Sequence, residues 1–216
     1  MWVVILAYIG SYLLGAVPVG VLAAKAKGID IMAHGSGNIG ATNVARVLGK
    51  KAGIAVFLLD VLKGVVPPVV VAYLPIEGVF GLSVADHRVL SGVLAIAGHT
   101  LSPFIGFKGG KGIATGLGAL LGTAPLVGLT SFGMFLVTFA LTRIVSVSSV
   151  VAAICVGTFG IFLFPQSRLF QVVYAIVGLY AIIKHRENLK RLVKGEEPKF
   201  VLKKPGPPPA DVDSDA

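Results

Sequence analysis

Residues 2–24, 113–141, 145–164 and 169–183 carry no charged side chain at all. Runs of that length have few places to go. A helix that crosses a bilayer needs about 20 mostly apolar residues, since hydrocarbon offers no partner to a bare backbone N–H or C=O and the helix must satisfy both internally. Two more runs, 52–74 and 87–104, are apolar apart from Asp60, Lys63, Arg88 and two histidines. At 55% hydrophobic and 13% charged, the 216-residue chain is too apolar for a soluble domain with a wetted surface. The expected fold class is therefore all-α, a polytopic integral membrane protein with the lipid bilayer as its solvent.

Topology follows from the cations. The first run is too long for a signal-peptide core and has no basic residue before it, so it reads as a retained helix, bent by Pro18 near its inner end. The run 52–74 holds Pro67 and Pro68, which predict a break in its outer half, and Asp60 with Lys63, which predict that it faces other helices. Lys25, Lys27, Arg46, Lys50 and Lys51 crowd the segment 25–51, which reads as a polar loop, and the tail from Lys184 is also basic; both are cytoplasmic by the positive-inside rule. An outward N-terminus and an inward C-terminus require an odd number of crossings. The run 113–141, interrupted between Gly122 and Pro125, is then two helices rather than one, the first rising only about 15 Å. Seven transmembrane helices are expected, the fourth short. Residues 1–200 form a single membrane-embedded domain in this reading. Residues 201–216, rich in Pro and ending in acids, lack the apolar content to bury a core and are expected to be a disordered tail.

The formal charge of +9 sits in a few loops that hold almost no Tyr, Trp or Phe, which argues against a nucleic-acid partner. The single Cys155 excludes a disulfide within the chain and a cysteine zinc site, and no histidine cluster indicates a metal.

Three polar segments fall on the same membrane face. Residues 35–46 combine Gly35, Gly37 and Gly40 with Ser36, Asn38, Thr42, Asn43 and Arg46: glycines let backbone N–H groups approach an oxyanion, and the side chains add donors. The glycines match GxGxxG formally, but a membrane helix stands where the dinucleotide fingerprint needs a strand. The second segment, Phe107-Lys108-Gly109-Gly110-Lys111-Gly112, opens a helix near Ile113, where free N–H groups attract phosphate. It is no Walker A loop, because Gly112 stands where the magnesium-binding hydroxyl belongs. In the third, a continuing last helix would place His185, Asn188 and Arg191 on one face, with Gly195 as its cap and Glu197 beyond. Asp60 and Lys63 are spaced to pair; His99 is a secondary candidate, and His34 and His87 are given no catalytic role.

These residues resemble the three motifs of the bacterial PlsY family, the acyl-phosphate:glycerol-3-phosphate acyltransferases: 35–43 with Arg46, Gly98-His99 leading to 107–112, and His185-x-x-Asn188-x-x-Arg191 with Gly195 and Glu197. The Asp60-x-x-Lys63-Gly64 feature matches too, and the likeness covers about residues 2–199. Leu101-Ser102 departs from it, an aromatic residue being usual there, as does the extended acidic tail. The resemblance implies transfer of a fatty acyl group from acyl phosphate to the 1-position of sn-glycerol 3-phosphate, giving lysophosphatidic acid and phosphate. It also implies a seven-helix protein of the bacterial cell membrane, with its site at the cytoplasmic side.

Acyl phosphate is an activated mixed anhydride, so such a site mainly holds two phosphorylated substrates in register, and proximity supplies about 7–11 kcal/mol. The candidate phosphate-binding residues are Gly37, Asn38, Thr42, Asn43, Arg46, Lys108, Gly109, Gly110, Lys111, Gly112, Arg191 and Glu197. His185, Asn188 and Ser36 are the candidate catalytic groups. Either His185 or the donor's own phosphate oxygen accepts the hydroxyl proton. A covalent acyl-Ser36 is disfavoured, since no base is spaced to activate it. No cofactor and no metal are expected, and a monomer suffices. The rival classes are an anion transporter, which would need an outer gate, and a lipid-binding scaffold, which has no use for the Asn, Ser and His pattern.

Overall fold

The computed structural model describes residues 1–164 and 167–200. The expected tail, 201–216, lies outside them. The first run forms α1 (Trp2–Ala16) and α2 (Val19–Lys25), which meet at 41° across Val17 and Pro18. Proline removes an N–H and clashes with the preceding turn, so the bend falls where the sequence puts it.

The segment 35–46 is not a loop throughout. A 3-10 turn at Ile31–Ala33 precedes α3 (Ala41–Leu48), whose first turn starts on the extended Gly40. Val44 docks into a core with Val21, Ala24, Ile31, Ile39 and Val56, and this apolar contact is what turns the second half of the segment helical.

Helix α4 (Lys50–Val71) also departs from expectation, because it runs unbroken through Pro67 and Pro68. Both prolines are buried, and a Cβ on Gly122 would stand 2.9 Å from the Pro68 ring, so packing against neighbouring glycines holds the helix through the lost hydrogen bonds. Helix α5 (Val84–Thr100) begins ahead of His87. Ser83 and Asp86 form a capping box there, with the Ser83 N–H donating to Asp86 at 3.0 Å and the Asp86 N–H to Ser83 at 3.2 Å.

The long uncharged run divides into α6 (Ile113–Thr123) and α7 (Pro125–Thr142), as the parity argument required. Arg88 donates to the Gly122 carbonyl at 2.6 Å, satisfying one acceptor where the short α6 stops. Helices α8 (Val145–Leu163) and α9 (Arg168–Lys184) follow. The last helix does not continue past His185: the chain bends by 53° into α10 (Arg186–Val193).

Among the described residues, four helices are long and apolar enough to cross a bilayer, up to six if each bent pair counts as one span, and α6 is a shorter apolar helix. The polarity is that of a chain dissolved in lipid. Leu6, Leu58, Leu62, Leu129 and Ile154 are exposed, whereas Ser11, Asp60, Lys63, His99 and Thr115 are buried. Small residues bring the helices into backbone contact: a Cβ on Gly98 would lie 2.1 Å from the Tyr12 carbonyl, and one on Gly64 2.2 Å from that of Thr115.

Candidate active site

The first glycine turn is built around one side chain. Asn43 on α3 is 2% exposed; its Oδ1 accepts the Ser36 N–H at 2.8 Å, and its Nδ2 donates to the carbonyls of His34 at 3.0 Å and Ile31 at 3.3 Å. Those bonds occupy the amide with backbone, so Asn43 shapes the turn rather than reaching a phosphate. Asn38 makes a local turn of its own, accepting the Gly40 N–H at 2.8 Å. Gly35 and Gly37 have φ of 61° and 67°, the left-handed region that glycine enters freely. Among the described residues, the Ser36 and Thr42 hydroxyls and the Arg46 guanidinium take no hydrogen-bond partner from the protein, which leaves them to a ligand.

The second turn is held by fit. A Cβ on Gly109 would stand 2.0 Å from the His99 carbonyl, and one on Gly110 2.2 Å from His99 Nε2. Gly112, with φ of 78°, is the N-cap of α6, as the sequence predicts. Lys108 is exposed and, among the described residues, takes no side-chain bond; Lys111 turns inward and donates to Asn188 Oδ1.

The third segment closes over Lys111. Asn188 Nδ2 and Ser146 Oγ donate to one oxygen of Glu197 at 2.6 and 2.7 Å, and Arg191 Nε donates to the other at 2.9 Å. Glu197 is 5% exposed with both oxygens engaged, so it clamps α10 to the start of α8 instead of meeting a phosphate, which it would repel. Burial pushes its carboxyl up, but the bonds from Asn188, Ser146 and Arg191 outweigh this and hold it below the usual range. Burial takes the Lys111 ammonium down to about 8, Glu197 opposing the shift and Arg191 and Arg46 reinforcing it. These mutual effects place Arg46, Lys111, Arg191 and Glu197 in one electrostatic cluster.

His185 ends α9 at 3% exposure, and its Nδ1 lies 2.8 Å from the Ala181 carbonyl. The carbonyl can only accept, so Nδ1 carries the proton and Nε2 offers a lone pair. Burial first, opposed by the Ala181 bond and aided by Lys111, lowers its pKa to about 4, and the ring is neutral at pH 7.

Ser146 was not foreseen. The signal was present in the Ser146, Ser148, Ser149 cluster just after Arg143, but Ser148 and Ser149 bond back within their own helix, and spacing alone cannot say which serine is free. Next to the cluster lies an apolar groove of about 640 Å³, walled by Gly112, Ile113, Leu120, Phe132, Val156 and Ala181 among others. Gly112 follows Lys111 in the chain and the Ala181 carbonyl meets His185, so the groove reaches the cluster.

Comparison with known proteins finds relatives along most of the chain. A glycerol-3-phosphate acyltransferase of Synechococcus elongatus is 45% identical over 194 residues, covering 88% of this chain and 91% of its own. Its counterpart from Geobacter sulfurreducens is 42% identical over 191 residues, covering 88% and 94%. A crystal structure of PlsY, an integral membrane glycerol 3-phosphate acyltransferase in its glycerol 3-phosphate form, matches with a TM-score of 0.82 at 39% identity, over 92% of this chain and 96% of that one. Fold and sequence together therefore define an integral membrane protein of the acyltransferase class. The family model described as glycerol-3-phosphate acyltransferase matches residues 5–195, and the chain belongs to that family.

Proposed function

We propose that this protein transfers a fatty acyl group from acyl phosphate to the 1-hydroxyl of sn-glycerol 3-phosphate, releasing lysophosphatidic acid and phosphate. The observation that carries the reading is the Lys111–Asn188 bond at the mouth of an apolar groove: a phosphate-binding head beside a slot for a fatty chain. From Gly112 to Leu120 the groove follows α6 for about 12 Å at 1.5 Å per residue.

Arg46, Lys111, Ser36, Thr42 and the free N–H groups at the start of α6 hold the two phosphates, and Gly37, Gly109, Gly110 and Gly112 fix the course of the backbone that presents them. Asn43 and Glu197 keep these groups in place, Glu197 through Asn188 and Arg191. The glycerol hydroxyl donates to His185 Nε2, which orients it; as its oxygen attacks the acyl carbonyl carbon and the bond from that carbon to the phosphate oxygen breaks, the hydroxyl proton passes by way of Nε2 to the departing phosphate. A ring with a pKa near 4 is a weak base, whereas a phosphate oxygen has a second pKa of about 6. The proton therefore ends on the departing phosphate, and His185 orients the hydroxyl. No cofactor is needed, because the donor is already activated, and one chain supplies every group, so a monomer suffices.

In the same reading, residues 1–200 are one catalytic domain that crosses the bacterial cell membrane seven times, α6 being the short fourth crossing. The N-terminus lies outside, and the C-terminus and active site lie at the cytoplasmic face. The basic segments 25–51 and 184–199 support this orientation.

The test is phosphate release by purified protein supplied with acyl phosphate, with and without sn-glycerol 3-phosphate. Acceptor-dependent phosphate with matching lysophosphatidic acid, lost in Lys111→Ala and His185→Ala, is the expected result. Well-folded wild-type protein that turns over no chain length would sink the proposal.

A further inference from the structure

Three buried side chains take no part in the chemistry above, yet they connect the two turns that frame it. Asp60 and Lys63 on α4 pair at 2.8 Å, and His99 Nδ1 on α5 lies 3.7 Å from the same carboxylate oxygen with no hydrogen-bond partner of its own. All three are exposed by 5% or less. Charges this deep among membrane helices are costly unless they pair or serve the function, and pairing alone leaves the histidine unexplained.

The contacts on either side explain it. Lys63 Nζ donates to the Val17 carbonyl at 2.8 Å, at the break between α1 and α2. That break sets the course of α2, whose Val21 and Ala24 share a core with Ile31, Ile39 and Val44 beneath the first glycine turn. At the other end, the His99 carbonyl accepts the Gly110 N–H at 3.1 Å, and the His99 ring fills the space where a Cβ on Gly110 would stand. One chain of contacts thus runs from the floor of the first turn through Lys63, Asp60 and His99 to the turn that aims Lys111. Apolar helices packed on small residues can slide against one another, whereas an ion pair with a third polar partner has one preferred geometry.

We propose that Asp60, Lys63 and His99 are positioning residues that fix the spacing between the two glycine turns, and so between the two phosphates. The second clause rests on the function proposed above; the first does not. A displacement of about 1 Å between reacting groups lowers the rate about 100-fold, so a rigid spacer has a direct catalytic consequence.

Spin labels at Ser36→Cys and Lys108→Cys, in a Cys155→Ala background, report the spacing by pulsed dipolar spectroscopy without any turnover. A narrow distance distribution is expected for the otherwise unaltered chain, and a broad or shifted one for His99→Ala. The same broadening is expected when Asp60→Leu and Lys63→Leu are combined, a pair that removes both charges together and keeps the bundle folded. In the unlabelled protein, His99→Ala should lower kcat/KM by about 10- to 100-fold, and His99→Gln, which keeps a polar group under Gly110, should recover most of it. If His99→Ala does not fold, Gly110→Ala drives the same contact apart from the turn's side. Unchanged distributions in folded variants would overturn the spacer. Normal distances in a wild-type protein without acyltransferase turnover would instead overturn the function and leave the spacer standing.

Discussion

The two glycine turns look alike in sequence and are held by different forces. The first, around Gly35 and Gly37, is stabilised by hydrogen bonds from one buried amide; both glycines have positive φ, Gly35 also leaves room for Asn43, whose Oδ1 a Cβ would meet at 2.2 Å, and Gly37 serves its φ. The second, at Gly109 and Gly110, is stabilised by close packing on His99, and its glycines serve their missing side chain. Glycine in a binding loop therefore has two separate physical meanings, and substitutions should tell them apart.

The largest effect expected is that of Asn43→Ala. It strips partners from one N–H and two carbonyls, and a buried polar group left alone costs about 1–3 kcal/mol. A loss of about 3 kcal/mol, seen as a lower unfolding temperature in detergent together with lost activity, would confirm a turn held by that amide. A variant with wild-type stability would break the comparison at its first term.

Gly109→Ala comes next. Its Cβ would meet the His99 backbone oxygen at 2.0 Å, which no side-chain rotation relieves, so the turn itself must move. A fall in kcat/KM of about 100-fold is expected, with a smaller change in stability. Gly37→Ala should be milder: the nearest atom, the Met32 carbonyl oxygen, is 3.1 Å away, and the penalty is the left-handed backbone at about 1–2 kcal/mol. Equal kinetic losses in the two variants would mean that both turns are governed by fit.

How much of this was legible in the sequence follows from the same contrast. The apolar helices, the bend at Pro18, the division of 113–141 and the Asp60–Lys63 pair all follow from local rules of hydropathy, proline and spacing. The unbroken α4 was not legible, because the glycine beside Pro68 that secures it comes from α6 and is distant in sequence. The first half of the site was read as a continuous loop because the apolar face of α3 gains meaning only against α2 and α4. Phosphate chemistry picks residues that the structure brings together, but it does not anticipate that Asn43 and Glu197 are taken up by bonds within the protein. Asn43 and Glu197 look like ligands in a polar motif, and only their backbone and side-chain partners reveal them as scaffolding.

The smallest change alters no residue and separates the turns by charge. Arg46, beside the first turn, stays cationic at any accessible pH, whereas Lys111 in the second titrates near 8. Below that value the ammonium is present to meet phosphate; as pH rises through it, the charge is lost and kcat/KM should fall about tenfold per unit. Stability should move the opposite way. The folded pKa is depressed, so the unfolded chain binds more protons between about 8 and the ordinary lysine value of about 10.4, and stability from this group rises with pH across that window. Lys111→Arg should keep activity flat through pH 8 and abolish the stability rise. Inorganic phosphate should raise the unfolding temperature at pH 7 more than at pH 9.5 in the wild type, and about equally in the arginine variant. A kcat/KM break near 8 that survives in Lys111→Arg would assign the titration to another group and leave the second turn's role resting on packing alone.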